Sequence, residues 1–284
     1  MLFRHLITPD LSIEYANSFE ACGAPNHYPH THNFCELYIF ITGKCSYMVE
    51  SGIFDLVPGT VIFTRPGELH SVKILESCSY SRIFYQFRPD FLKLPKMKFL
   101  RCFYNRPFGE KNALVLSKEQ TEQYISRVEQ TKNRFESHCI DASSYALADF
   151  LCNLSLINES FDKISAIDLP DRCSQIVSNA LSYINSHLVE IKTTDDVAQA
   201  LFVSREYLSR RFTKEMGLTL NRYIAKKRVA AAQSLLVSGA SATDAALQSG
   251  FENYSYFIQI FKRETELTPQ EWKRLPQAQV TYLI

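Results

Sequence analysis

The stretch that decides the fold is Thr193-Thr194-Asp195-Asp196-Val197-Ala198, followed by Ser204-Arg205-Glu206-Tyr207-Leu208-Ser209-Arg210-Arg211-Phe212. It recurs as Thr243-Asp244-Ala245-Ala246, Gly250-Phe251 and Asn253-Tyr254-Ser255-Tyr256-Phe257-Ile258-Gln259-Ile260-Phe261-Lys262-Arg263. Shifted back by 49 residues, Tyr256 falls on Tyr207, Phe261 on Phe212, Glu264 on Glu215, Leu267 on Leu218 and Thr268 on Thr219. The leading helices match better at 48, Asp244 on Asp196 and Ala246 on Ala198, so the second turn is one residue longer. Each copy reads as a short helix, a tight turn and a second amphipathic helix. That is a helix-turn-helix, a unit suited to laying one helix in a DNA major groove. Two copies predict a reader of two successive groove segments.

On a helical wheel Leu208 and Phe212 share the face that packs on the preceding helix. Glu206, Ser209, Arg210 and Thr213 cluster on the other side as candidates for base edges. Arg210 leads, because a guanidinium bonds guanine O6 and N7 at once. Arg211 and Lys214 flank this face and suit phosphates. The second reading face holds Ser255, Ile258, Gln259 and Lys262, with Tyr254 at its edge and Arg263 beside it. Gln259 suits adenine and Ile258 a thymine methyl group. This face carries little charge, which predicts weaker, more shape-dependent readout. Arg222, Lys226, Lys227 and Arg228 add charge along the connecting helix, predicted over Leu220–Val237, as phosphate contacts or as a solvated face.

Overall charge supports DNA binding only weakly. The net charge is +1, with 17 Lys+Arg against 19 Asp+Glu in residues 1–170 and 14 against 11 in residues 171–284. Any DNA affinity must therefore come from where the basic groups sit. No apolar run reaches membrane-spanning length and no secretory signal is read at the N-terminus, so a cytoplasmic protein is expected. The eight cysteines form no Cys-x-x-Cys pair, which argues against a zinc finger and for unpaired buried thiols.

Residues 12–88 read as short strands broken by Gly43, Gly52, Pro58-Gly59 and Pro66-Gly67, a pattern of sandwiches and small barrels. Ser117-Lys118-Glu119-Gln120 is a capping box. Tyr124, Val128, Thr131 and Phe135 then recur at helical spacing, and Ala148, Leu151, Leu154 and Ile157 do so in a second helix. This pair either covers one face of the barrel or supplies a dimer interface. Residues 158–172 lack a period and read as the linker.

Residues 174–274 resemble the DNA-binding domain of the AraC family of transcription regulators. The resemblance is carried by Tyr207–Phe212, Gly250-Phe251, Tyr256-Phe257, Phe261-Lys262-Arg263 and Thr268-Pro269. It implies seven helices, with the long helix holding two helix-turn-helix units. Phe202 stands where the family often has a small residue, Glu266 where a Gly is usual, and Ala245 where a larger aliphatic residue is usual. The resemblance also implies a cupin-like N-terminal sensor. His30-x-His32-x3-Glu36-x6-Gly43, followed by Pro66-Gly67-Glu68-Leu69-His70, is similar to the cupin motifs.

On a barrel strand His30 and His32 would face one side, joined by Glu36 and His70 from neighbouring strands. With Tyr38 they form the expected ligand-binding set, and Tyr38, Phe40, Tyr47, Phe63 and Tyr85 are candidates for an aromatic lining. The expected ligand is a small organic effector, a carbohydrate being one candidate, with no metal, no cofactor and no catalytic residue. The alternative is a metal-dependent cupin enzyme or metal sensor using His30, His32, Glu36 and His70.

The fold class is therefore α+β. A cupin-like effector-sensing β-barrel is expected over 1–110, a helical dimerisation segment over 115–158 and a linker over 159–172. An all-α double helix-turn-helix domain is expected over 174–275. The expected function is a transcription regulator rather than an enzyme, with the choice between activator and repressor left open by the sequence. Its expected partners are promoter or operator DNA, a small-molecule effector, RNA polymerase and a second copy of the chain, with no membrane.

Overall fold

The strand Cys35–Thr42 (β3) is covered on both faces. Leu37 and Ile39 point one way and Glu36, Tyr38 and Phe40 the other, because side chains alternate along a strand, and all five are buried. A computed structural model of the protein describes residues 2–22, 29–89, 99–163 and 171–274. The other strands are Leu2–Thr8 (β1), Leu11–Glu20 (β2), Cys45–Val49 (β4), Gly52–Asp55 (β5), Thr60–Thr64 (β6), His70–Ile74 (β7), Cys78–Phe87 (β8), Ala113–Val115 (β9) and Asp171–Arg172 (β10). They form a six-stranded sheet in the order β1-β2-β8-β3-β6-β9 and a four-stranded sheet in the order β10-β5-β4-β7. All the named pairings are antiparallel.

Tyr38, Phe40, Tyr47, Ile62, Val72 and Tyr80 fill one apolar cluster drawn from both sheets. The opposite face of the larger sheet is covered by helices Arg101–Tyr104 (α1), Lys118–Glu136 (α2) and Ala142–Lys163 (α3). The expected capping box at Ser117 is present, with Gln120 reciprocating. The apolar stripe of the helical pair turns toward the sheet. Tyr124, Val128, Leu154 and Ile157 pack in one core with Leu37, Ile39, Ile83, Tyr85 and Phe87 of the sheet. The apolar stripe is the barrel's second core.

Phe63 and Tyr85 belong to that helix-covered core, not to the lining between the sheets. The register explains it: Leu37 pairs with both Phe63 and Tyr85, so the three share a face. The interval expected as a linker begins differently. Helix α3 continues to Lys163, residues 164–170 lie outside the described set, and Asp171–Arg172 pairs with Ile53 and Gly52 of β5.

Seven helices follow over residues 175–274, as the resemblance implies: Gln175–His187 (α4), Thr194–Ala200 (α5), Arg205–Met216 (α6), Leu220–Val237 (α7), Ala242–Gln248 (α8), Tyr254–Thr265 (α9) and Pro269–Arg274 (α10). Side-chain caps start the helices that matter for DNA: Ser204 for α6, Thr219 for α7, Ser241 for α8 and Asn253 for α9. Each unit has its own core. Leu208 and Phe212 pack with Val197, Ile184 and Tyr223, and Phe257 and Phe261 pack with Ala245, Val229 and Trp272. No helix among the described residues is long and apolar enough to cross a membrane.

Candidate functional site

His30 and His32 lie in an irregular segment before β3 rather than on a barrel strand, and His70 begins β7. His30 forms an isolated bridge with His70, each amide donating to the other's carbonyl at 3.0 Å. His32 lies in the irregular segment before β3, and its carbonyl accepts from Gly67 N at 3.0 Å. This short ribbon brings the rings together: His30 and His70 centroids are 4.4 Å apart, and His32 and His70 are 4.8 Å apart. One ligand atom from each of the three histidines lies within 4.8 Å of the others.

Glu36 closes the cluster. Its Oε2 lies 3.4 Å from His32 Nε2 and 4.0 Å from His70 Nε2. Tyr47 donates its hydroxyl to Glu36 Oε1 at 3.2 Å, and Gln86 Nε2 donates to Oε2 at 3.1 Å. Burial pushes the Glu36 carboxyl up, but His32 foremost, then His70 and His30, outweigh it and hold the group well below the usual carboxylate range. Burial also pushes the Tyr38 and Tyr47 phenols far up, so both stay protonated. Tyr38 shares a 2.8 Å hydrogen bond with Tyr80, next to the histidine end.

Several polar atoms here are left over. Both ring nitrogens of His32, His70 Nε2 and the Thr64 hydroxyl are buried without a hydrogen-bond partner among the described residues. Such atoms are costly unless something bonds them. His70 Nδ1 is engaged, 2.9 Å from the Glu68 carbonyl oxygen. The spacing also fits a divalent transition metal, for which three imidazoles and a nearby carboxylate are suitable donors. His30, His32 and His70 would hold it, and it would supply Lewis acidity.

The sequence reading missed Gln86, Tyr80 and the pair Glu14–Arg82. Arg82 donates to the buried Glu14 at 2.9 Å, and its guanidinium sits 4.9 Å from the Tyr80 ring. Strand parity in β8 was the available signal, because Tyr80, Arg82, Phe84 and Gln86 alternate with the helix-side Ile83, Tyr85 and Phe87.

The DNA-reading candidates fall where the wheel put them. Glu206, Arg210, Thr213 and Lys214 on α6 are exposed and Ser209 is half-buried. On α9, Tyr254, Ser255, Gln259, Lys262 and Arg263 are exposed and Ile258 is half-buried. Arg211 is less free: it pairs with Glu215 at 2.9 Å, and Glu215 in turn accepts from Ser174 at the start of α4. A cleft between the two units is lined by Thr219, Asn221, Arg222, Ala225, Tyr256 and Arg263.

The basic row on α7 divides sharply. Arg222 is exposed, but Lys226 bonds Glu264 at 2.6 Å and Arg228 donates to the Leu188 and Ile191 carbonyls. Lys227 is buried against the sensor, donating to Glu50 Oε1 at 3.0 Å and to the Gly67 carbonyl at 2.6 Å. Three of these four cations are thus structural, whereas Arg222 stays exposed with a longer ion pair to Glu264 at 3.8 Å.

A paired helix-turn-helix joined to a two-sheet sensor defines a class: DNA-binding transcription regulators with a ligand-binding domain. The family described as AraC-like ligand binding domain matches residues 19–93, and the one described as helix-turn-helix domain matches residues 197–275. The chain belongs to the AraC family of transcription regulators. It is 22% identical over 272 residues to the HTH-type transcriptional activator RhaR of Escherichia coli K12, covering 92% of this chain and 94% of that one. Among solved structures it is similar to the C-terminal domain of AraT, a response regulator from Geobacillus stearothermophilus, at 32% identity over 36% of this chain and 87% of that one, with a TM-score of 0.35. It is also similar to ToxT from Vibrio cholerae O395, at 16% identity over 93% of this chain and 96% of that one, with a TM-score of 0.40.

Proposed function

We propose that this regulator reads DNA with α6 and α9 and that the histidine end of its sensor takes a small, neutral, polyhydroxylated effector, a monosaccharide being the model ligand. The observation that carries the effector reading is the set of buried, unpartnered atoms on His32, His70 and Thr64. Hydroxyl groups donate to an imidazole nitrogen and accept from a hydroxyl or imidazole N–H. The Glu36 carboxylate beside them disfavours an anion. Tyr47, stacked parallel to His70 at 6.2 Å, adds apolar surface of the type that faces a sugar ring. A thermal-shift screen of neutral monosaccharides against the full chain tests this, since a ligand of the folded state raises the melting temperature. A rise in the wild type, absent in a His32→Ala, His70→Ala double variant, is expected. Stoichiometric zinc, iron or manganese in protein purified without metal supplements, lost in that variant, would replace the organic effector with a metal.

For DNA, Arg210 reads a base, and Lys214, Arg222, Lys262 and Arg263 serve the backbone. Arg210→Ala is expected to cost roughly 1–3 kcal/mol and to relax preference at one position, while Lys262→Ala weakens all sequences alike. Selection from a randomised duplex library reads both outcomes, and an unchanged preference in Arg210→Ala would reassign it to phosphate or solvent. Dimerisation is proposed on the outer face of α3, where Ala148, Cys152 and Leu156 stay exposed. RNA polymerase is proposed as the further partner of an activator.

A further inference from the structure

The ribbon that carries the histidines also reaches into the DNA-binding domain at two places. Leu69, next to His70, is fully buried in the core of the first helix-turn-helix unit, with Val177, Leu181 and Tyr223. Phe34, two residues beyond His32, is buried in the core of the second unit, with Val229, Leu236 and Phe257. Each reading head therefore takes a buried apolar side chain of the sensor into its core, and Met48 of β4, partly buried, also packs against the first. The His32 and Phe34 rings are themselves 6.0 Å apart.

Polar contacts hold the same surfaces together. Thr31, between the two histidines, donates its hydroxyl to the Lys226 carbonyl of α7 at 3.4 Å. Glu50, at the turn between β4 and β5, accepts from Leu69 N at 2.7 Å, from Lys227 and from the Tyr223 hydroxyl. It thus ties the ribbon to the helix between the two units. Among the described residues the reading faces of α6 and α9 stay exposed in this arrangement.

We propose that the ribbon His30–Phe34 and Gly67–His70 is the coupling element of the regulator, with Leu69 setting the first reading head and Phe34 the second. The proposal rests on the reading that the histidine end binds the effector. A molecule seated between His32 and His70 moves residues that are one and two positions from these two plugs. Packed cores transmit such shifts because they do not deform continuously. Effector binding then resets the two heads, each through its own side chain.

Hydrogen exchange with mass spectrometry on the full chain tests this with no ligand. Phe34→Ala is expected to speed exchange about tenfold or more in α8 and α9 and to leave α5 and α6 near wild type. Leu69→Ala is expected to give the reverse pattern. Should either alanine variant fail to fold, Phe34→Leu and Leu69→Val give the same segregated pattern at smaller size. His32→Ala with His70→Ala is expected to change exchange in both units. Equal changes in both heads for either plug variant, or no change beyond the sensor in the histidine variant, would overturn the proposal. Because no effector is used, these outcomes are independent of the monosaccharide screen.

Discussion

Glu68 and Glu36 are both buried carboxylates of the same sensor, and their surroundings are opposite. Glu68 is fully saturated. Arg106 grips it through both guanidinium nitrogens at 2.7 and 2.8 Å, and Gly109 N, Arg65 N and Asn112 Nδ2 add bonds at 2.8, 3.0 and 3.1 Å. Glu36 has one hydroxyl and one amide donor, and then faces the Nε2 atoms of His32 and His70 at 3.4 and 4.0 Å, neither of which has a hydrogen-bond partner among the described residues. A buried charge whose every lone pair is met locks a fold. One bordered by unmet donors and acceptors is arranged for something else. Glu68 belongs to the ribbon and Glu36 follows it in β3, so the fold saturates the one carboxylate and leaves polar atoms unmet around the other, as the proposed effector site requires.

The largest expected effect comes from breaking the saturated cluster. Arg106→Met leaves Glu68 buried without its counter-ion, and should destabilise the sensor by about 3–5 kcal/mol in urea titration. A cost under ~1 kcal/mol would mean that the cluster is not structural. A much smaller effect is expected at Glu36. His32→Leu removes two nitrogens without a hydrogen-bond partner but also the group that does most to hold the buried Glu36 carboxyl low, so it should cost about 1 kcal/mol or less while abolishing the effector response. A loss comparable to that of Arg106→Met would erase the contrast between the two ends.

Acid sharpens the same comparison. Burial pushes the Glu68 carboxyl up, but Arg106 outweighs it and the folded value lies below the ordinary 4.5. A carboxyl held low contributes stability that is present above the unfolded value and is lost as pH falls through the folded one. The gap between wild type and Arg106→Met should therefore be widest near neutrality and narrow below about pH 4.5. A pH-independent gap in melting temperature would mean that packing, not charge, holds Arg106.

The smallest effect concerns a third glutamate, exposed Glu266, whose φ of 63° places it in the left-handed region. Gly217 holds the equivalent end of α6 with φ 70°. Glu266→Gly should stabilise the second unit by about 0.5–1 kcal/mol, since only glycine adopts this conformation without strain. Destabilisation would show that the Glu266 side chain makes up for its backbone.

Most of the C-terminal half was legible in the sequence. Its signals are local: apolar residues four apart, such as Leu208 and Phe212, and a repeat that placed Phe261 on Phe212. The spacing of His30, His32, Glu36 and His70 marked the candidate site for the same reason, although His30 and His32 lie before β3 rather than on a strand. What stayed hidden depends on partners distant in sequence. Val128 and Leu154 show an apolar stripe, but nothing local says that a sheet rather than a second chain covers it. Lys227 looks like its neighbour Arg222 until Glu50, 177 residues away, is placed beside it. Phe63 and Tyr85 have the right chemistry for a lining, and only the β3 register shows that they face the helices.

The central claim is that the histidine end of the sensor governs DNA reading. Fluorescence anisotropy of the full chain on a duplex from the promoter upstream of its own gene measures it most directly. Each titration is run with and without the monosaccharide that most raises the melting temperature. The account predicts that the ratio of the two Kd values departs from one in the wild type and returns to one in the His32→Ala, His70→Ala variant. A ratio of one in the wild type, or the same departure in both proteins, would contradict it.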